Sequence, residues 1–255
     1  MNSALFVAWK SGEAEDGRWG PIGRLDHVDG VYRFVYTKGA QSLKGFHAFP
    51  EMPRLDEVYE SDALFPIFVN RLLGSSRPEF EAYLAWGGFD PAHPPDPIAI
   101  LGVTEGRRAT DALEVFPVPL PGADGSYTNT FFLHGVRWIP AIAQQRIAVL
   151  QPGETLGLML DISNRHDSDA VAVRTCDVHE RFLIGYVPRY LARDVRELCI
   201  KGEQASIELK VQRVNPAAPY QQRLLCRMNA RWPRMFTPCT GEAFQPIAGE
   251  LAAVA

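Results

Sequence analysis

The sequence predicts an α+β, mostly β protein in two parts: a small amino-terminal sheet with two helices, and a carboxy-terminal set of about five short strands with one helix. Three observations predict it. Short runs rich in β-branched and aromatic residues, separated by Gly, Pro and Asp, recur along the whole chain. A few stretches instead carry apolar residues at helical spacing. Between them, "VFPVPLPGADGSYTNT" (115–130) places three prolines and two glycines where no regular pattern survives. The division is therefore 1–118, a linker over 119–130, a second domain over 131–240, and a tail over 241–255.

In the first part, "ALFVAWK", "GPIGRL" and "VYRFVYT" read as three strands. In "SDALFPIFVNRLL", Ser61 or Asp62 can cap a helix whose apolar side is Leu64, Phe65, Phe68, Leu72 and Leu73, with Pro66 in its first turn. "RPEFEAYLAWGG" repeats the pattern, with Pro78 early and Gly87-Gly88 as the stop. The run "DPAHPPDP" (90–97) reads as an ordered loop. In the second part the expected strands are 155–162, 169–175, 181–188, 205–214 and 223–230. "RYLARDVRELCIKG" sets Leu191, Val195 and Leu198 on one helical face, with Gly202 beyond its end. Many short strands and one helix make a small barrel or sandwich.

The 255 residues, 46% hydrophobic and 22% charged, suit a globular protein. With no apolar run of membrane-spanning length and no leader-like amino terminus, a cytoplasmic location is expected, and no membrane partner. Four scattered cysteines, Cys176, Cys199, Cys226 and Cys239, read as reduced packing residues. The net charge of −4 conceals an asymmetry: residues 1–130 carry −7, residues 131–240 carry +5, and the last fifteen carry −2. Lys and Arg bind nucleic acid by displacing counterions from phosphates, so a basic half matters more than the chain total. The acidic half could dock a protein partner.

One loop stands out. "DISNRHDSDAVAV" (161–173) packs Asn164, Arg165, His166, Asp167 and Asp169 into six positions before an alternating strand. A plain turn needs one or two such residues. With "FFLHGVRWI" before it and "IGYVPRYLA" after it, in that order and at those separations, the stretch over about 129–230 resembles the HIRAN domain, found alone in bacteria and fused to helicase-like ATPases in eukaryotes. The resemblance implies an OB-like β-barrel that binds single-stranded DNA and grips a free 3′-hydroxyl end. It implies roles residue by residue. Arg137 would contact a phosphate or base, and Trp138 would stack on a terminal base. Asn164 and Arg165 lie in the binding loop, His166 stands where relatives usually have Tyr, and Asp167 would accept a hydrogen bond from the 3′-hydroxyl. Tyr186 and Arg189 would lie near the strand's backbone. The first half more distantly resembles the amino-terminal subdomain of HipA-type toxin kinases, without a kinase body and with Asn70-Arg71-Leu72-Leu73-Gly74 departing from the usual segment.

Each of these residues also fits a purely structural role: Trp138 a core position, Asn164 and Asp167 turn formation, Arg137 and Arg189 surface ion pairs, and His134 and His179 packing. Cys176 and His179 make an isolated CxxH without a partner pair, so no metal and no cofactor are expected. The chain has no GxSxG, HExxH or GxxxxGK[ST] motif, so the expectation leans away from an enzyme. Two alternatives to DNA binding remain. One is a protein-interaction adaptor of a toxin–antitoxin system. The other is a metal-dependent hydrolase using Asp161, Asp167 and Asp169.

Overall fold

Asp29 and Gly30, both at positive φ (51° and 82°), form the two-residue Asp-Gly turn that starts the first sheet. The turn pairs Val28 with Val31 and so fixes the register of β2 (Trp19–Val28) against β3 (Val31–Tyr36). In the computed structural model, which describes residues 3–12, 18–108, 110–122, 124–201, 207–233, 236 and 238–249, the chain divides into two units. The first is Met1–Phe80, Pro95–Pro119 and Thr237–Ala255; the second is Glu81–Pro94 and Leu120–Phe236.

The first unit holds a five-stranded antiparallel sheet of order β4-β3-β2-β1-β5, where β1 is Ser3–Lys10, β4 Val58–Ser61 and β5 Leu113–Pro117. The three expected strands are its centre, and the two edges are additions. Pro21, which has no N–H to give to a ladder, sits next to the bulge between β1 and β2. Leu5, Val7, Leu25, Phe34, Tyr36, Phe68, Ile98 and Leu101 form the core. Within it the Tyr36 hydroxyl donates to the Met52 carbonyl at 2.8 Å and accepts from the Phe49 N–H at 2.7 Å. A single helical turn, α1 (Gly39–Ser42), follows β3.

The helix expected over 61–73 is one turn only, α2 (Pro66–Val69). Its proposed cap, Ser61, ends β4, and the Ser61 hydroxyl accepts from the Ala63 N–H in a local turn. Arg71 is buried, donating to the Gly106 carbonyl at 2.9 Å and to Asp111 at 2.8 Å. The second expected helix forms as α3 (Phe80–Trp86), followed by Gly88 at φ 80°. A helix that the sequence did not suggest, α4 (Pro97–Thr104), begins where the proline run ends. Asp96 accepts from the Ile98 N–H at 2.8 Å as its N-cap, with Pro97 in the first helical position.

The linker is shorter than expected, because Ser126–Thr130 belong to β6 (Ser126–Phe132) and pair with β11. Residues 241–249 are no loose tail. The Ile247 N–H donates to the Tyr36 carbonyl and the Lys38 N–H donates to the Gln245 carbonyl, both at 2.9 Å, extending the first unit's hydrogen bonding.

The second unit is a curled, OB-like half-barrel of six strands in the order β6-β11-β10-β7-β8-β9. Here β7 is Thr155–Leu160, β8 Val171–Thr175, β9 Leu183–Tyr186, β10 Ile207–Val214 and β11 Leu224–Arg231. All five strands expected there are present, with ends one or two residues shorter; residues 205 and 206 lie outside the described residues. Alternation along β8 buries Val171, Val173 and Thr175, and they join Phe131, Leu133, Ile184, Leu209 and Met228 in the interior. Besides α3, most of which falls in this unit, two helices among the described residues accompany the sheet. The first, α5 (Ala141–Ala148), was not expected, and its Arg146 donates to both carboxylate oxygens of Asp177 and to Glu154. The second, α6 (Arg189–Ile200), is the expected amphipathic helix, with Leu191, Val195 and Leu198 buried; Gly202 lies outside the described residues. Cys226 is a packing residue as expected, but Cys176 is exposed; among the described residues the four cysteines form no disulfide.

Candidate nucleic-acid interface

The curl of the second sheet brings its two ends together. His134, two residues past β6, and Tyr186, the last residue of β9, exchange both backbone hydrogen bonds at 2.9 Å. Gly185 makes this approach possible. Its φ is 150°, and a Cβ there would stand 2.6 Å from the His134 carbonyl oxygen and 2.8 Å from Leu133. The candidate residues gather around this joint.

On one side, Gly135 at φ 75° turns the chain into a single 3₁₀ turn, Val136–Trp138. Val136 points into the core and leaves Arg137 and Trp138 outside. Trp138 is 81% exposed, which removes its core reading. An indole in water is costly to maintain unless it serves a surface. The Arg137 guanidinium lies 5.2 Å from the Trp138 ring centre, a cation–π pair.

On the other side is the β7–β8 loop, organised by Asp161. The Asp161 Oδ2 atom accepts from Asn164 Nδ2 and from the Tyr186 hydroxyl, each at 3.1 Å, and its Oδ1 accepts from the Ser163 hydroxyl at 3.1 Å. The hydrogen bond from Asn164 is the chief reason the Asp161 carboxyl is held below its ordinary range. Asn164 Oδ1 in turn accepts the N–H of His166 at 3.0 Å and that of Asp167 at 3.1 Å. Asn164 is thus a turn former, and by that role it aims the next two side chains. Arg165 and His166 are exposed; Asp167 is partly so. Asp167 Oδ1 accepts from the Asp169 N–H at 3.0 Å, and Oδ2 faces Arg189 at 3.8 Å. Asp169 faces Arg196 at 3.9 Å. The two arginines are seven residues apart on α6, two turns along one face, so the helix braces the acidic side of the loop.

Asp161, Asp167 and Asp169 each face a partner of their own, and among the described residues no three His, Cys, Asp or Glu side chains form a group able to hold a metal ion. Burial, followed by the hydrogen bond to Asp161, raises the Tyr186 phenol above its ordinary range. Asp161→Asn is expected to move that titration back toward the ordinary value of about 10. Carbon NMR of ring-labelled tyrosine reads it directly; an unmoved Tyr186 signal would mean that the carboxylate does not act on the phenol.

Sequence reasoning missed two residues. The 3₁₀ turn Tyr220–Gln222, between β10 and β11, packs against Val136–Trp138. Tyr220 is 38% exposed, and the Arg223 guanidinium lies 4.5 Å from its ring centre. A second arginine–aromatic pair therefore lies next to the first. Its sequence signal, "PYQQR", sits outside the three motifs and looks like an ordinary hairpin loop.

The fold and site define a small OB-like barrel with an exposed, arginine-flanked aromatic platform at the joint of its sheet ends. Residues 127–231 match the family model described as HIRAN domain. Two solved structures are similar to this chain. A protein from Lactobacillus plantarum is 23% identical, covering 45% of this chain and 93% of its own, with a TM-score of 0.33. The HIRAN domain of human HLTF is 19% identical, covering 42% of this chain and 73% of its own, with a TM-score of 0.29. No curated protein matches the chain. None of these comparisons supports the HipA-type resemblance of the first half, and the adaptor reading built on it is not carried forward. No helix among the described residues is long and apolar enough to cross a membrane.

Proposed function

We propose that the second unit binds single-stranded DNA and recognises its 3′-hydroxyl end. A HIRAN domain implies DNA binding. One observation carries the finer reading. Three motifs separated by some fifty residues of chain converge at the His134–Tyr186 joint, and there they present an exposed indole, two arginines and a carboxylate. Each serves a different part of a strand end. Trp138, joined by Tyr220, offers a face to a base, which any base can use. Arg137 and Arg189 supply charge to phosphates. Asp167 accepts a hydrogen bond from a terminal hydroxyl, whereas a terminal phosphate would meet its charge.

His166 stacks where relatives place Tyr, on a smaller ring. Arg165, exposed next to it, adds a charge that can follow the backbone. The basic balance of residues 131–240 fits this assignment, and the acidic first half stays available to a protein partner. A setting in DNA repair, restriction or phage defence would use such an end reader.

Anisotropy titrations of two labelled oligonucleotides that differ only in a 3′-hydroxyl or 3′-phosphate, at two salt concentrations, test the proposal. The hydroxyl end is expected to bind more tightly, and Asp167→Ala to bring the two affinities together. Equal binding by the unaltered protein would remove end recognition; no binding at low salt would remove DNA.

A further inference from the structure

Tyr186 is fixed at both levels. Its backbone is bonded both ways to His134, and its hydroxyl donates to Asp161 Oδ2 at 3.1 Å. Asp161 cannot return a proton. It accepts from Asn164, Ser163 and Tyr186, and those donors keep it a carboxylate. A phenol has one proton to give and lone pairs to receive with. Once the proton is committed to Asp161, the Tyr186 oxygen can meet a ligand only as an acceptor. Asp167, a few residues along the same loop and tied to Asp161 through Asn164, is likewise an acceptor.

We propose that Asp161 is a positioning residue that makes Tyr186 an acceptor and so sets the specificity of the site. A strand terminus is then chosen by two acceptors, Tyr186 and Asp167, both of which require a donor from the ligand. A 3′-hydroxyl carries one. A 3′-phosphate offers oxygens that find no proton on Tyr186, and its charge faces the Asp167 carboxylate. The proposal rests on the end-recognition reading above and assigns the selectivity to Asp161, a residue of the middle motif to which the resemblance gives no binding role.

The test is a cycle of Asp161→Ala and Tyr186→Phe, singly and together, with Asp161→Asn as the conservative variant. Each is titrated with the hydroxyl-ended and phosphate-ended oligonucleotides and checked for folding by thermal melting. Asp161→Ala frees the phenol proton, so the hydroxyl-over-phosphate ratio is expected to fall roughly five- to tenfold, the worth of about one hydrogen bond. Asp161→Asn keeps an oxygen able to take the phenol proton and is expected to retain most of the ratio. In the Tyr186→Phe background, Asp161→Ala is expected to change the ratio little, because the group through which it acts is gone. A purely structural Asp161 would weaken both ends by one common factor in either background, and that result overturns the proposal. If Asp161→Ala fails to fold, Tyr186→Phe alone decides: the ratio must fall, and an unchanged ratio overturns the proposal. Unaltered protein that binds both ends alike overturns end recognition together with this proposal. A preference that survives both substitutions overturns this proposal alone.

Discussion

Trp138→Ala is expected to weaken single-strand binding roughly 5- to 150-fold, the equivalent of about 1–3 kcal/mol for one base–aromatic contact. Both the hydroxyl-ended and the phosphate-ended strand should lose by the same factor, since stacking does not depend on the terminal group. The protein itself should be unaffected. With the indole 81% exposed and the preceding Val136 supplying the buried contact, the melting temperature should stay where it is. That separation makes the substitution informative: a fall in stability would mean that the ring packs against the protein, and an unchanged affinity would mean that no base lies on it. Tyr220 gives an internal control. If the two arginine–aromatic pairs hold successive bases, Trp138→Ala should leave a residual affinity for longer strands that Tyr220 supports.

Gly185→Ala is expected to have the largest effect on the fold of the second unit. The new Cβ would meet the His134 carbonyl oxygen at 2.6 Å and Leu133 at 2.8 Å, at a φ of 150° that side-chain-bearing residues avoid. Overpacking and an unfavourable backbone together make a cost of at least about 2 kcal/mol. The His134 contact is backbone and the Leu133 side chain is fully buried, so the clash is relieved by parting the His134–Tyr186 bridge. Urea unfolding should show a lowered midpoint, and DNA binding should fall more than stability does, because the turn bearing Trp138 and the phenol of Tyr186 lose their common anchor. Unfolding and binding both equal to the parent would mean that the sheet ends do not depend on this contact.

The strands were legible in the sequence because burial of one face writes an alternating pattern, as in Cys226, Met228 and Ala230 against Arg227, Asn229 and Arg231. The elements that escaped did so for identifiable reasons. β5 ends in a proline and runs into more, so it reads as linker. α4 is apolar nearly all round, with Ile98, Ile100 and Leu101 buried, so it has no polar face to give it a helical period; its Asp96-Pro97 start was readable. The 61–73 stretch has the apolar spacing of a helix, yet Arg71 turns inward to satisfy the carbonyl of Gly106, and the helix stops after one turn.

For the site, residue identities were legible through the three motifs, but their division of labour was not. Exposure separates a stacking tryptophan from a core one, and sequence does not carry exposure. From sequence Asp161 reads as a strand-end acid or a metal ligand, and its role as acceptor shows only where Tyr186, twenty-five positions away, meets its carboxylate. Asp169, a surplus charge in the sequence, has a partner in Arg196 on α6.

The way the chain passes between its two units has a consequence for how the protein is made. The first unit draws on residues near the amino terminus, on Pro95–Pro119, and on the stretch after Phe236, whose Ile247 completes a hydrogen bond to Tyr36. A ribosome delivers Glu81–Pro94 and all six strands of the second unit before it delivers that last stretch. The first unit is therefore completed only by residues that follow the whole of the second in the chain. For the same reason, an expression fragment cut at 127–231 would lack the Glu81–Pro94 segment, where the Asn215 side chain donates to the Trp86 carbonyl at 3.0 Å.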